Sequence, residues 1–128
     1  MTPRSAQLID GANRALASAQ SQLDEQDLQT AAERACVAML RLAKACLDID
    51  GLSPGPAQTV CSEYDQHFVQ TGRMYSTYYR WLMDAADLRK AAGSDFAAPV
   101  DYDAVATVVE RAEIFRDATI RFVAHYAR

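Results

Sequence analysis

The stretch from Leu28 to Ile49, LQTAAERACVAMLRLAKACLDI, decides the fold of this chain. Its apolar residues alternate steps of four and three, the spacing of one face of an α-helix: Leu28, Ala32, Ala35, Met39, Leu42, Cys46 and Ile49. A second apolar row lies beside the first and contains Cys36, Leu40, Ala43 and Leu47. Because the two rows cover more than a narrow seam, we predict that this is the most buried helix of a bundle.

The residues on either side mark the ends of this helix. Asp27 precedes it and can cap the exposed amides of the first turn. Gly51 follows it and tolerates the left-handed turn that is common after a helix. These two residues therefore predict that the helix starts after Asp27 and ends before Gly51.

Working outward, four more segments have a helical apolar period: residues 5–23, 56–71, 75–92 and 103–126. Gly11 weakens the first helix by about 1 kcal/mol relative to alanine, so we expect its first turn to fray. Ser53 and Pro54 are expected to begin the third helix, as a cap and a first-turn proline. A loop containing Pro99 runs from Gly93 to Val100, and Asp101 or Asp103 is expected to cap the last helix.

No segment alternates with period two between turn residues, as a half-buried strand would. Short connections make neighbouring helices antiparallel. We therefore predict an all-α protein, an up-down bundle of four long helices and one shorter helix. Its 128 residues suit a single domain spanning 1–128.

Composition and charge exclude several classes of protein. Half of the residues are hydrophobic, too many for a disordered chain. The apolar stretch from Ala35 to Leu40 is far shorter than the roughly 20 residues that a membrane span needs. The net charge of −4 argues against binding DNA or anionic membranes through bulk charge, although it allows a local basic patch.

The three cysteines, Cys36, Cys46 and Cys61, include no Cys-x-x-Cys pair. They therefore predict buried free thiols instead of a disulfide framework or a zinc site. The first residues lack the apolar core of a signal peptide. Together these features predict a cytoplasmic protein.

The two histidines have no Glu-x-x-His or His-x-x-x-His partners, and no glycine-rich phosphate loop occurs, so we predict neither a metal nor a cofactor. The first candidate site is Arg121 with His125, which are four residues apart and share a helix face. Such a pair can address one anionic group, with histidine as general acid or base and arginine stabilising negative charge. The alternative is a basic helix end that favours the helix dipole, a trend that Arg128 continues.

The second candidate site is a basic patch with neighbouring aromatic residues. Its candidate contacts for RNA or nucleotide are Arg34, Arg41, Arg80 and Arg89. If the fourth helix packs beside the second, Tyr78, Tyr79 and Trp81 would flank this patch and stack on bases. The alternative is a set of solvated arginines over the edge of a tyrosine-rich core.

Three stretches resemble the HEPN superfamily, in particular its short, single-domain prokaryotic branch. They are Ala31 to Leu40 (AAERACVAML), Tyr64 to Gly72 (YDQHFVQTG), and Tyr79 to Arg89 (YRWLMDAADLR) followed by Asp95-Phe96. In the first stretch Arg34, Ala35, Ala38 and Met39 match the branch pattern, whereas Cys36 and Val37 stand where it has paired aromatics. Ala57 lies where the branch usually has a histidine, and the spacing from Arg89 to Asp95 is longer than usual.

The resemblance implies a helical bundle that dimerises and often pairs with a small nucleotidyltransferase, as toxin and antitoxin. Catalytic HEPN proteins have an arginine followed, after four to six residues, by a histidine, and this motif forms a metal-independent ribonuclease site across the dimer. Here only three residues separate Arg121 from His125, and Phe122 replaces the usual Asn or Asp. We therefore expect a non-catalytic or degenerate HEPN module that binds nucleotide or RNA. The alternative is an endoribonuclease toxin that uses Arg121 and His125.

For the module we expect an aromatic surface that contacts a second copy or the partner protein. The candidate residues of this surface are Tyr75, Tyr78, Tyr79 and Trp81.

Overall fold

The computed structural model describes residues 2–53, 55–93 and 100–126. Its helices are α1 (Pro3–Asp24), α2 (Leu28–Ile49), α3 (Ala57–Tyr64), α4 (Ser76–Ala92) and α5 (Tyr102–Tyr126). Within those ranges no residue belongs to a β-strand. The predicted all-α class, with four long helices and one short one, is therefore confirmed. Pro54 and residues 94–99, which include Pro99 and the Asp95-Phe96 pair of the predicted loop, lie outside the described residues, as does Arg128.

Contacts between the helices give an up-down arrangement. Only residues 25–27 connect α1 to α2, and Ser5 and Gly11 of α1 contact Asp48 and Arg41 of α2, respectively. Contacts that pair the start of one helix with the end of the next show that the two run antiparallel. In the same way, Tyr78 and Asp84 of α4 contact Phe115 and Arg111 of α5.

Helix α2 is the centre of the bundle, since it packs against α1, α3, α4 and α5. Its buried residues are Ala31, Ala32, Ala35, Cys36, Ala38, Met39, Leu40, Leu42, Ala43, Ala45, Cys46 and Leu47. Many of these are alanines, whose small side chains let neighbouring helices approach closely. The prediction that this is the most buried helix is confirmed, and so is its extent, Leu28–Ile49.

Asp27 and Gly51 flank α2 as expected, whereas α3 begins at Ala57 with Pro56 before it and without a side-chain cap, and not at Ser53. The Asp27 side chain accepts a hydrogen bond from the Thr30 amide at the start of α2. Gly51 and Gly72 have φ values of +74° and +77°, in the left-handed region that glycine adopts without strain. Helix α5 begins at Tyr102, and the Asp101 carbonyl accepts from the Val105 amide in its first turn.

The third predicted helix differs from the expectation of a regular α-helix over residues 56–71. The α-helical part ends at Tyr64, and Asp65–Val69 forms a π-helical turn in which the Gln70 amide donates to the Asp65 carbonyl at 2.9 Å. Tyr64 and Phe68 remain fully buried and stack with their ring centroids 5.7 Å apart. The wider turn therefore keeps the apolar face intact, which is why the apolar pattern did not reveal it.

The state of the cysteines and the hydropathy of the helices agree with the sequence-based expectations. Cys36, Cys46 and Cys61 are all buried and free. None of the helices in the described ranges contains an apolar stretch long enough to cross a bilayer.

Candidate functional site

A depression of about 340 Å³ lies between α4, α5 and the segment that precedes α4. Its lining residues are Gly72, Arg73, Met74, Tyr75, Tyr78, Ala118, Arg121 and Phe122. The structure therefore brings Arg121 of the first candidate site together with two of the predicted interface tyrosines. We call this feature the Arg121 depression.

Three of the aromatic residues form a row along α4. The ring centroids of Tyr75 and Tyr78 are 6.0 Å apart, and those of Tyr78 and Trp81 are 5.7 Å apart. This row follows from the sequence, because residues three apart lie on the same side of a helix. Tyr75 is 77% exposed, whereas Tyr78 packs against the buried ring of Phe115. The aromatic row (Tyr75, Tyr78 and Trp81) is thus anchored in the core at its middle and open at its Tyr75 end.

Arg73 forms one wall of the Arg121 depression and is held on two sides. Its Nη1 donates to the Asp50 carboxylate at 2.8 Å, and its guanidinium lies 4.4 Å from the centroid of Phe68. The hydrogen bond to Asp50 raises the pKa of Arg73 above its ordinary value. Gly72, with its positive φ, turns the chain immediately before Arg73. Sequence analysis did not single out Arg73, because its partners lie on other elements.

The candidate catalytic residues Arg121 and His125 are both exposed near the end of α5. Arg121 lines the depression, whereas His125 is not among its lining residues. The His125 ring instead packs edge-on against Tyr126, with the centroids 5.0 Å apart. A single copy of the chain therefore presents the arginine to the depression without the histidine.

The second arginine set does not form one patch. Arg89 lies with Tyr79 in a larger groove of about 640 Å³ between α2, α3 and α4. The floor of this groove includes Cys36 and Cys61, and burial raises the pKa of both thiols. Arg89 lowers the pKa of Cys36 through its charge and a hydrogen bond to the thiol, but burial has the larger effect. The groove therefore contains thiols that are mainly in their neutral form.

Arg34, Arg41 and Arg80 lie outside both of these concavities. Arg34 and Arg80 are exposed. Arg41 is half-buried and reaches across to α1, where its Nη1 donates to the Gly11 carbonyl at 2.9 Å. The four arginines that the sequence grouped as RNA contacts are thus distributed over separate surfaces.

The described residues contain no group of three or more His, Cys, Asp or Glu side chains arranged to hold a metal ion. In His67, the other histidine, Nε2 lies 3.2 Å from a carboxylate oxygen of Glu63, within α3 and its π-helical turn.

No protein-family model matches the chain, and no curated protein matches it significantly. The resemblance to HEPN proteins therefore rests on the three sequence stretches alone. In the structure, Ala35, Ala38 and Met39 of the first stretch are core residues of α2, and Arg34 is exposed. A packing role explains the apolar matches without any shared function.

Proposed function

We propose that the protein is a HEPN-like binding module that forms a homodimer and acts in the cytoplasm with a nucleotidyltransferase partner, in a toxin–antitoxin-like system. In this proposal the aromatic row contacts the second copy, and the Arg121 depression binds RNA or a nucleotide. The observation that carries the proposal is that Tyr75, Tyr78 and Arg121 line one depression.

The chemistry of these side chains supports binding of a nucleotide unit. A planar guanidinium pairs with a phosphate through two parallel hydrogen bonds. A tyrosine ring can stack on a base, which contributes about 1–3 kcal/mol per base. Arg73 lies in the same wall, where it is paired with Asp50, so the depression combines the Arg121 guanidinium with aromatic surface.

The exposure of Tyr75 supports a protein contact at the end of the aromatic row. An aromatic ring that is 77% exposed and continuous with other rings is more stable when a partner covers it. Two copies that met along this row would also place their Arg121 depressions beside one interface. The dimer and the nucleotide site are therefore parts of one proposal.

The dimer is tested by sedimentation equilibrium of the wild type and of Tyr75→Ser. Aromatic residues at the centre of an interface typically contribute 2 kcal/mol or more, so the substitution should weaken dimerisation at least about tenfold. Tyr102→Ser is the matched control, because Tyr102 is 45% exposed on α5 and lies outside the row. A wild type that stays monomeric at high concentration would contradict the dimer.

Binding of nucleic acid is tested by fluorescence anisotropy with a labelled single-stranded RNA. Arg121→Gln should weaken binding about tenfold and reduce its dependence on salt, because one phosphate contact is lost. Arg34→Gln removes an equally exposed arginine outside the depression and serves as the control. Equal losses in the two variants would indicate binding through general charge and would contradict this site.

The partner is tested by asking whether an adjacent reading frame encodes a nucleotidyltransferase and whether the two proteins co-purify. Tyr78→Ala, in the middle of the row, should reduce recovery of the complex if the partner shares the aromatic surface. Co-purification that is insensitive to this change would place the partner elsewhere.

One observation favours a second candidate function, a metal-independent endoribonuclease. Arg121 and His125 are both exposed at the end of α5, where a second copy can reach them. Expression in a host should then arrest growth, purified protein should cleave RNA in the presence of EDTA, and His125→Ala should abolish both effects. His67→Ala is the matched control, since that histidine is paired with Glu63. Absence of toxicity and cleavage would favour the binding module.

A further inference from the structure

A third concavity, of about 250 Å³, lies between α1 and α2 and is lined by Arg4, Gln7, Leu8, Gly11, Arg14 and Arg41. Half of these residues are arginines, and none is a carboxylate. This is an unusual concentration of positive charge in a chain with a net charge of −4. The lining residues do not overlap with those of the Arg121 depression. We call it the α1–α2 groove.

Helix geometry explains how α1 supplies its part of the groove. Residues 4, 7, 11 and 14 follow one another at steps of three and four, so they form a single stripe along the helix. At 1.5 Å per residue, Arg14 lies about 4.5 Å along the axis from Gly11, and Arg4 lies about 10 Å from Gly11 in the other direction. The stripe therefore places a cation on each side of a glycine.

Arg41 enters the groove at this glycine. A Cβ at position 11 would lie only 3.2 Å from Cδ of Arg41 and 3.4 Å from its Nη1, so the Arg41 side chain would have to shift by a few tenths of an ångström. Without that Cβ, Arg41 lies against α1 and donates to the Gly11 carbonyl at 2.9 Å. A guanidinium has several N–H donors, and this bond uses one of them. The backbone of α1 thus orients Arg41 beside Arg14.

One neighbouring carboxylate pairs with one of the three arginines. Asp48 lies at one end of the groove, 3.7 Å from Nε of Arg4. The same carboxylate also accepts hydrogen bonds from the hydroxyl groups of Thr2 and Ser5, which are neutral and leave its charge in place. An anion at the Gly11 position would therefore meet Arg14 and Arg41, whereas at the Arg4 end it would compete with Asp48.

We propose that the α1–α2 groove binds a phosphate group, held between Arg14 and Arg41, and that a second phosphate of the same ligand competes with Asp48 for Arg4. The size of the groove suits one or two phosphates, and none of its lining residues is aromatic and able to stack on a base. The recognised chemistry is thus that of an orthophosphate, a pyrophosphate or the phosphate tail of a nucleotide. This inference does not depend on the proposed function, because it uses a different surface.

The test is isothermal titration calorimetry with inorganic phosphate, inorganic pyrophosphate and metal-free ATP. Charge-assisted hydrogen bonds contribute about 1.5–3 kcal/mol, so Arg14→Gln and Arg41→Gln should each weaken pyrophosphate binding about tenfold. Arg34→Gln, on α2 but outside the groove, should change it less than twofold. Gly11→Ala should weaken binding less, because Arg41 needs to shift by only a few tenths of an ångström to make room for the methyl group.

Far-UV circular dichroism and thermal melts accompany each variant. If Arg41→Gln or Gly11→Ala loses structure, Arg14→Gln decides alone, since Arg14 is exposed on the helix surface. If ATP and pyrophosphate bind with equal affinity and are equally weakened by Arg14→Gln, the groove recognises phosphates alone. If ATP binds more tightly than pyrophosphate and is still weakened by Arg14→Gln, the ligand is a nucleotide. No binding by the wild type at millimolar concentration, or an equal loss in Arg14→Gln and Arg34→Gln, overturns the proposal.

Discussion

Arg73 connects three parts of the bundle, and its removal gives a stringent test of the packing described above. Its guanidinium pairs with Asp50 at the end of α2 at 2.8 Å. It also lies 4.4 Å from the ring centroid of Phe68, and 5.4 Å and 5.2 Å from those of Phe122 and Tyr126 on α5. Arg73→Ala would therefore remove an ion pair and a stacked cation at one point.

The expected loss of stability follows from the environment of these groups. The side chains of Arg73 and Asp50 are 25% and 29% exposed, so their pair should contribute about 1 kcal/mol, the upper end for surface pairs. A partly desolvated cation over an aromatic ring contributes about 1–2 kcal/mol. Arg73→Ala should thus lower the free energy of unfolding by about 2–3 kcal/mol, equivalent to a fall in Tm of roughly 6–12 °C for a chain of this length.

Urea denaturation followed by circular dichroism measures this loss. Arg73→Lys keeps the charge but not the planar group, so it should lose about half as much stability. A double-mutant cycle with Asp50→Asn should give a coupling energy of about 1 kcal/mol. Arg80→Ala, at an exposed site on α4, should stay within about 0.5 kcal/mol of the wild type. If Arg73→Ala were equally neutral, or if lysine replaced arginine without loss, the inferred stacking would be refuted.

Three further predictions concern stability measured by the same urea titrations. The buried Tyr64 hydroxyl has no hydrogen-bond partner within the described part of the chain, so Tyr64→Phe should stabilise the fold by about 1–2 kcal/mol, and destabilisation would contradict this. Burial raises the pKa of Cys46 to about 12 from 9.0. The contribution of this buried neutral thiol to the free energy of unfolding should be complete below pH 9. It should be lost at about 1.4 kcal/mol per pH unit between pH 9 and 12, because the unfolded chain releases the thiol proton first. Cys46→Ala should flatten this dependence on pH, and an unchanged slope would contradict the prediction. Asp27→Ala removes the cap that accepts from the Thr30 amide and should cost about 1 kcal/mol, while exposed Asp24→Ala should be close to neutral.

The helices could be predicted from the sequence because their information is local. Apolar periodicity, a capping aspartate and a terminal glycine together predicted α2 from Leu28 to Ile49. The π-helical turn Asp65–Val69 was missed because a segment of five residues is too short to show a period of its own. Helix α1 continues through Gly11, from Pro3 to Asp24. Local helix propensity could not reveal the contact with Arg41 that accompanies this glycine.

The candidate sites were predictable only where their members share a helix. The spacing of Tyr75, Tyr78 and Trp81 predicted a row, and the structure contains that row. The approach of Arg121 to Tyr75 joins two helices, and no spacing along the chain encodes it. Arg34 and Arg41 show that a shared stripe of a helix does not guarantee a shared site. Both lie on one stripe of α2, but Arg34 is exposed, whereas Arg41 reaches across to the Gly11 carbonyl of α1.

Two arginines in this structure make contacts that depend on a glycine. This dependence explains why the sequence did not reveal those contacts. Gly11 lacks the Cβ from which the Arg41 side chain would have to shift by a few tenths of an ångström. Gly72 adopts a positive φ that turns the chain just before Arg73, which then reaches Asp50 and Phe68. In both cases the glycine is unfavourable or neutral for local helix formation, yet it permits a contact between elements. At Gly11 the missing Cβ thus leaves room for the Arg41 guanidinium to cross from α2 to α1.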